Sequence, residues 1–185
     1  MFGEEGLKAV EREMMQLHIQ KVMSPRQKHD LTNDEIKRCF NYLMFLKQKQ
    51  SGDVKGRKCA NGQKQRLWTR PKDATLPTAA QESVFITSAI DAKEGREVAV
   101  SNLPGAFMQT DMDNKIVHIK FQGAMADLLI KIAPKVYGPY AIVENGQTTI
   151  YVQLLKALYG TLQAARMFYE KLVAHLQGNG FVLNP

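Results

Sequence analysis

A run of positive charge is the first feature of this chain that suggests chemistry. Between positions 47 and 72 only Asp53 is acidic, whereas nine side chains are basic, so the segment carries a net charge of +8. The nine are Lys47, Lys49, Lys55, Arg57, Lys58, Lys64, Arg66, Arg70 and Lys72. Clustered cations with an aromatic residue, Trp68, among them suit contact with phosphates, because each neutralised phosphate releases bound counterions. A solvated hairpin whose lysines protect an edge strand has the same composition, so the sequence leaves both interpretations open.

The second feature is a polar residue at the predicted end of a strand. Val98 and Val100 alternate with polar or small neighbours, which is typical of a half-buried strand, and Pro104-Gly105 then ends the pattern with turn residues. Asn102 is therefore predicted to lie near the end of the strand, where a loop begins. Its amide oxygen could bind a metal ion but supplies no negative charge.

A third block follows about fifty residues later and completes a pattern. It reads LLKALYGTLQAARMFYEKL from Leu154 to Leu172, and Tyr159-Gly160 opens a long helix with apolar periodicity. Together with NLPGAF after the predicted strand, this block resembles the copia-type retrotransposon reverse transcriptases, which are RNA-directed DNA polymerases. The resemblance extends upstream through YLMFLKQKQSGDVKGRKCANGQKQR, from Tyr42 to Arg66, and more weakly to KAVEREMMQLH near the N-terminus.

The resemblance implies an α+β fold with reverse-transcriptase fingers and an incomplete palm, built on an antiparallel sheet packed with helices. It divides the chain into an N-terminal helical segment at 1–48, a fingers-like basic β-ribbon and helix at 49–95, and an incomplete palm at 96–185. The later palm hairpin, which carries a pair of aspartates in this family, would lie beyond Pro185.

The resemblance also implies a nucleotide site. Lys55 and Arg57 match the basic pair of the fingers ribbon that contacts the incoming triphosphate, although Lys58 stands beside them where relatives often have a small residue. Phe107 matches the aromatic residue that blocks a ribose 2′-hydroxyl, and a core phenylalanine after a turn is the equal alternative.

Further positions match the helix that faces template and nucleotide. Tyr159, Gly160 and Gln163 match the motif that opens it, although Ala165 stands where a proline is usual. Arg166 could reach a phosphate, but a solvated helix residue is the favoured interpretation. The predicted nucleic-acid contacts are Lys64, Arg66, Arg70 and Arg166.

Catalysis is not expected from these residues. Nucleotidyl transfer by two metal ions requires carboxylates to hold the cations, and Asn102 occupies the position of the family's first metal-binding aspartate. Magnesium is the cofactor of the family, but we expect this chain to bind no metal. Asp111 and Asp113 are the nearest downstream acids, and we expect them to lie in a surface loop without rescuing the site.

Composition excludes several other classes. At 185 residues, 44% apolar and 23% charged, the chain fits one ordinary domain or two small lobes. Its cysteines and histidines show no CxxC or HxxxH spacing, which argues against a zinc site or disulfide framework. The sequence contains no GxSxG, HExxH or P-loop pattern, which argues against an unrelated hydrolase. The N-terminus lacks an apolar signal region and no long apolar run follows, so we expect an intracellular protein, with cytoplasm or nucleus left open.

Periodicity predicts five helices. The first includes Leu7 to Leu17 and ends before Ser24-Pro25. A capping box of Thr32 and Glu35 starts a second, whose apolar face continues through Phe40 to Met44. The remaining three are a helix capped by Thr78 and Gln81 that runs through Ile90, a short helix at 123–132, and a last helix ending near Gly178.

Turn residues predict the strands. Ser51-Gly52-Asp53 is a predicted turn between two extended runs and Asn61-Gly62 is another, so residues 45–70 are predicted to form a basic β-ribbon. Asn145-Gly146 joins the two strands of a predicted hairpin over 141–152. Alternation over 115–121 predicts a strand with His118 on its solvent face. Phe181-Val182-Leu183 then begins an apolar strand without a partner after it, which suggests that the chain ends inside a domain.

The leading interpretation is therefore a copia-type reverse transcriptase fragment that is catalytically inactive. An RNA or DNA primer-template and a deoxynucleoside triphosphate are the implied partners, a completing chain or a downstream element polyprotein is a further candidate, and no membrane is expected. The alternatives are a residual nucleic-acid-binding module and a non-functional retrotransposon remnant that folds poorly.

Overall fold

The fold is α+β, with a mixed sheet packed by helices, in a computed structural model that describes residues 2–70, 75, 78–112 and 116–183. The helices are α1 (Gly3–Ile19), α2 (Asn33–Arg38), α3 (Gln81–Glu94), α4 (Ala124–Ile132), α5 (Pro134–Tyr137) and α6 (Ala164–Gly178). The strands are β1 (Met23–Arg26), β2 (Phe40–Gln48), β3 (Val54–Ala60), β4 (His118–Gln122), β5 (Ile142–Glu144) and β6 (Gln147–Leu154). No helix in the described ranges is long and apolar enough to cross a membrane.

One sheet joins strands from all three of the predicted regions. Its order is β1-β6-β4-β2-β3, and β5 pairs with β6 beside this path. Neighbouring strands are antiparallel except β2 and β4, which pair in parallel through Phe40 opposite Ile119 and Asn41 opposite Lys120. The predicted antiparallel sheet is therefore mixed.

The core lies between one face of this sheet and helices α1 and α4. Alternate residues of β4 and β6 point into it and are almost fully buried, as the two-residue period of a strand requires. The helices meet them with residues three or four positions apart, so that each presents one apolar stripe. The fully buried side chains of these strands and helices include Met14, Leu17, Ile119, Phe121, Leu129, Ile150, Val152 and Leu154.

The second helix is shorter than predicted. The capping box is confirmed, because the Glu35 backbone N–H donates to Thr32 Oγ1 at 3.2 Å and the Thr32 N–H donates to Glu35 Oε2 at 2.8 Å. The helix ends at Arg38, however, and the residues from Phe40 onward form strand β2. The predicted helical face through Met44 was wrong, since a short apolar run fits either period and pairing with β3 decides it.

Two of the three predicted turns are confirmed. Ser51-Gly52-Asp53 joins β2 to β3, and Asn145-Gly146 joins β5 to β6 with φ values of 49° and 74°, as a two-residue hairpin turn needs. Asn61 instead precedes a 3-10 helix at Gly62–Leu67, so the ribbon ends at Ala60.

Other predicted elements did not form as expected. Helix α3 is present, but Thr78 does not cap it and none of its residues is buried. Residues 96–103 form no strand, and Val98 and Val100 are 65% and 95% exposed. Residues 181–183 likewise have no regular structure. Alternation produces a strand only when a partner strand and a packed face exist, and the described residues offer neither to these segments.

His118 occupies β4 as predicted, but it is buried and does not face solvent. Helix α2 covers this face of the sheet and brings Glu35 Oε1 to 3.9 Å from His118 Nδ1. Burial lowers the pKa of His118, and the nearby Glu35 carboxylate opposes this effect only in part.

Candidate functional site

The β2–β3 hairpin presents a basic outer face. Its register places Lys47 opposite Lys55 and Phe45 opposite Arg57, and these four side chains are exposed. Directly opposed residues share a face, so the two lysines and Arg57 form one patch, which we call the ribbon patch. None of its three cations forms an ion pair with a described residue. Like charges placed opposite one another repel, and a bound anion would relieve that repulsion.

The inner face of the hairpin packs against α1. Lys58 is 5% exposed, with its Nζ 3.0 Å from Glu13 Oε2 and hydrogen-bonded to Gln16 Oε1. Desolvation lowers the pKa of Lys58, and Glu13 opposes the shift. At Gly56 a Cβ atom would lie 2.9 Å from Glu13 Cγ, so α1 approaches the strand closely there. Lys58 therefore fixes the hairpin to α1 and is not available to a ligand.

The Tyr159-Gly160 turn docks on the end of β3. The Ala60 N–H donates to the Tyr159 carbonyl oxygen at 2.7 Å, and Gly160 has a φ of 90°. A Cβ atom on Gly160 would lie 2.0 Å from the Ala60 carbonyl oxygen and 2.4 Å from Cys59 Sγ, so only glycine fits. Cys59 lies two residues beyond Arg57 on the same face of β3. The turn thus lies at one end of the ribbon patch.

A buried glutamine holds the same turn from the other side. Gln65 is 2% exposed, and its Oε1 accepts a hydrogen bond of 2.8 Å from the Leu162 backbone N–H. The burial of Gln65 could not be predicted from the sequence, because Gln65 lies in a polar, basic segment where nothing indicated burial. The close approach of Gly62 to Gly160 was not predicted either; a Cβ added to Gly62 would lie 2.0 Å from the Gly160 carbonyl oxygen.

Phe107 brings the NLPGAF segment to this turn. It lies in a 3-10 helix at Ala106–Gln109, and its ring centroid is 4.3 Å from that of Tyr159 and 6.1 Å from that of Phe168. Phe107 is half-buried and Tyr159 is 44% exposed. The structure therefore brings Phe107, Tyr159 and Gly160 to the end of β3, where Arg57 lies two residues before Cys59 and Lys55 lies two residues before Arg57.

The other predicted contacts are more scattered. Gln163 is the N-cap of α6 but caps it with no side-chain hydrogen bond. Arg166 Nε lies 2.6 Å from Glu170 Oε1, which agrees with a helix-surface role. Lys64 and Arg66 are exposed on the 3-10 helix after β3, and Arg70 is exposed at the end of that described range.

Asn102 lies in the exposed segment 96–103, not at the end of a strand. Among the described residues no three histidine, cysteine, aspartate or glutamate side chains are close enough to hold a metal ion together. Asp111 is exposed and pairs through its backbone with Lys156, whereas Asp113 lies outside the described residues.

A groove with mixed charges lies between α1 and the hairpin and shares Lys55 with the ribbon patch. It has a volume of about 800 Å³. Lys8, Arg12, Lys49 and Lys55 line it together with Glu5, Glu11, Glu13 and Asp53. Because its charges are mixed, it is a weaker candidate for phosphate than the ribbon patch, which contains only cations.

Comparison of the chain with family models, with curated proteins and with solved structures gives no match in any of the three.

Proposed function

We propose that this chain is a relative of copia-type reverse transcriptases that binds nucleic-acid and nucleotide phosphates without polymerising nucleotides. The convergence of the three sequence blocks carries the proposal: Tyr159 contacts Phe107 with its ring and Ala60 with its carbonyl oxygen. A reverse-transcriptase fold for the whole chain is part of the same proposal.

The ribbon patch supplies the phosphate contacts. Lys47, Lys55 and Arg57 are exposed and share one face. The Arg57 guanidinium can donate two parallel hydrogen bonds to a phosphate, and the lysines add point charges. A triphosphate or a strand backbone, each of which carries several negative charges, would compensate the repulsion between Lys47 and Lys55.

The aromatic pair supplies a place for sugar and base. Successive residues of a strand advance about 3.3 Å, so Cys59 lies roughly 7 Å from Arg57 along β3. Gly160 is in contact with Cys59. Tyr159 precedes Gly160 in the chain, and its ring contacts the ring of Phe107. A nucleotide whose phosphates lie on Arg57 can therefore place its sugar against these two rings, where Phe107 would limit the space beside the ribose.

Polymerase activity is not expected, because the resemblance gives Asn102 the position of the family's first metal-binding aspartate. An amide in that position cannot offset the charge of a magnesium ion. If this loss weakens transition-state stabilisation by about 4 kcal/mol, the rate falls roughly a thousandfold.

Fluorescence anisotropy with a labelled primer-template tests the binding claim. We expect the double variant K55A/R57A to bind about tenfold or more weakly than the wild type at low salt. The double variant K93A/K135A removes the same charge from exposed positions on α3 and α5, and it should bind within about twofold of the wild type. Equal affinities for the two double variants would contradict a specific role for the ribbon patch.

Two further measurements test the nucleotide site and the lack of polymerase activity separately. Unlabelled deoxynucleoside triphosphate should displace the labelled duplex from the chain, because the two ligands bind to the same residues, Lys55 and Arg57. If the duplex binds but the triphosphate does not compete, the chain is a nucleic-acid-binding module without a nucleotide site, in which Lys64 and Arg66 extend the basic surface. Primer extension with magnesium should give no appreciable incorporation, and clear incorporation would overturn the inactivity.

A further inference from the structure

Trp68 is held in an unusual way for an exposed aromatic residue. It is 39% exposed, and its ring lies nearly parallel to that of Phe40, at 16° with centroids 6.3 Å apart. Phe40 is 4% exposed, so one side of the indole rests on the fold. The backbone N–H groups of Trp68 and Thr69 both donate to the Gln65 carbonyl oxygen, at 3.1 and 3.0 Å. The ring is therefore positioned before any ligand arrives.

A cation lies over the same ring. The guanidinium carbon of Arg38 is 5.7 Å from the ring centroid, within the range of a cation–π contact. Arg38 forms no ion pair with any residue in the described ranges. Lys64 and Arg66 are exposed on the 3-10 helix that leads to Trp68. Other exposed aromatic residues, such as Phe85 at 63%, have no described cation over the ring.

We infer that Trp68 forms a stacking site for an unpaired nucleobase of single-stranded nucleic acid, in which the base takes the place that Arg38 holds over the ring and Arg38 turns to the neighbouring phosphate. The inference rests on the proposed function and adds to it the single strand as ligand and Trp68 as the residue that contacts it. A base inside a duplex has both faces covered, whereas an unpaired base can stack on an aromatic ring or a guanidinium plane.

The strand backbone would follow the basic residues near Trp68. With a base on the indole, the adjacent phosphates come within reach of Arg38, Lys64 and Arg66. The ribbon patch lies further along the hairpin and on its other face: Phe40 starts β2, and Phe45, which is opposite Arg57, is five residues or about 17 Å away. The two sites are therefore separate: the ribbon patch contacts phosphates, and Trp68 contacts an unpaired base.

The chain itself provides the probe, because Trp68 is its sole tryptophan. We would titrate the wild-type chain with an oligothymidylate and follow tryptophan emission, while anisotropy of a labelled copy measures binding. Stacking should quench the emission saturably, with a midpoint equal to that of binding. A blunt duplex of mixed sequence should bind with little quenching.

Substitutions separate stacking from packing. We expect W68A to bind the oligothymidylate about tenfold to a hundredfold more weakly, the range expected for one stacked base, and W68F to retain most of the affinity. Blunt-duplex binding should change less than about twofold in both. R38A should weaken oligothymidylate binding several-fold, whereas K37A, which removes a neighbouring exposed lysine, should have a smaller effect.

Each result has a distinct meaning. Oligothymidylate binding without a change in tryptophan emission, or an unchanged affinity in W68A, would overturn the stacking site while leaving the proposed function intact. Equal loss of single-strand and duplex binding in both W68A and W68F would also overturn it, because Trp68 would then act only through folding. If the wild type binds neither nucleic acid, the proposed function itself fails.

Discussion

Two regions that both contain a predicted helix and a predicted strand behave differently in the fold. The sheet region, formed by the six strands with α1 and α4, buries Ile119, Phe121, Leu129 and Ile150 completely. The α3 region, residues 78–103, has a helix of fourteen residues and an alternating segment, yet none of the helix residues is buried. The difference shows that periodicity predicts which face of an element is apolar, whereas burial depends on whether another element is there to cover it.

The largest effect on stability is expected where the sheet region contacts the Tyr159-Gly160 turn. We expect G160A to lower the free energy of unfolding by about 4 kcal/mol, because the methyl group would meet the Ala60 carbonyl at 2.0 Å and the backbone has a φ of 90°. Urea denaturation followed by circular dichroism measures the change.

Gly180 provides the matched control. Its φ is 87°, but an added Cβ would meet nothing within 4 Å. We expect G180A to cost about 1 kcal/mol, the backbone term alone. Equal costs at the two positions would show that the turn does not pack on β3 as described.

Truncation of one apolar side chain in each region compares the two regions directly, with a smaller expected effect on stability. L129A removes a completely buried side chain on α4 and should cost about 3 kcal/mol, since it leaves a cavity under the sheet. F85A, on α3, should cost less than about 0.5 kcal/mol, because Phe85 is 63% exposed. Chemical denaturation of the two variants gives both values. A large cost for F85A would mean that α3 is covered in solution.

Local rules predicted the elements of the sheet region well. The capping box at Thr32, the Asn145-Gly146 turn and the strand at His118 were confirmed, since each depends on residues close together in sequence. Strand β2 was not predicted, because FNYLMFL fits a helix as well as a strand until β3 pairs with it. The strand before Asn102 was wrong for the complementary reason, since its alternation finds no partner in the described structure.

The smallest effect on stability is the pH dependence that His118 contributes. The alternation of residues in β4 did not predict that His118 is buried. Burial lowers its pKa in the folded chain below the usual 6.5, so the unfolded chain binds a proton first as the pH falls. The contribution of His118 is therefore complete above about pH 6.5 and is lost as the pH falls toward the lower, folded pKa. Between pH 7.5 and 5.5 the contribution of this group to the free energy of unfolding should therefore decrease.

The variant H118Q should reduce that dependence in urea denaturation at the two pH values. H175Q, which changes an exposed histidine on α6, should leave it as in the wild type. An unchanged dependence in H118Q would mean that the imidazole is not desolvated as the structure shows.

The candidate site was only partly predictable. The types and spacing of Lys55, Arg57, Tyr159 and Gly160 identified them in the sequence, and the resemblance added Phe107. The sequence could not show that Gln65 is buried or that Phe40 supports Trp68, because both contacts depend on how the 3-10 helix at Gly62–Leu67 folds back after β3.

The salt dependence of primer-template binding tests the central claim most directly. Wild-type affinity should fall steeply as salt rises, and each duplex phosphate contact contributes about 0.9 to the slope of log K against log salt. The account predicts that K55A/R57A reduces this slope by about 2, while K93A/K135A leaves it nearly unchanged. Identical slopes for the wild type and K55A/R57A, or binding that does not depend on salt, would contradict the claim that the ribbon patch contacts phosphates.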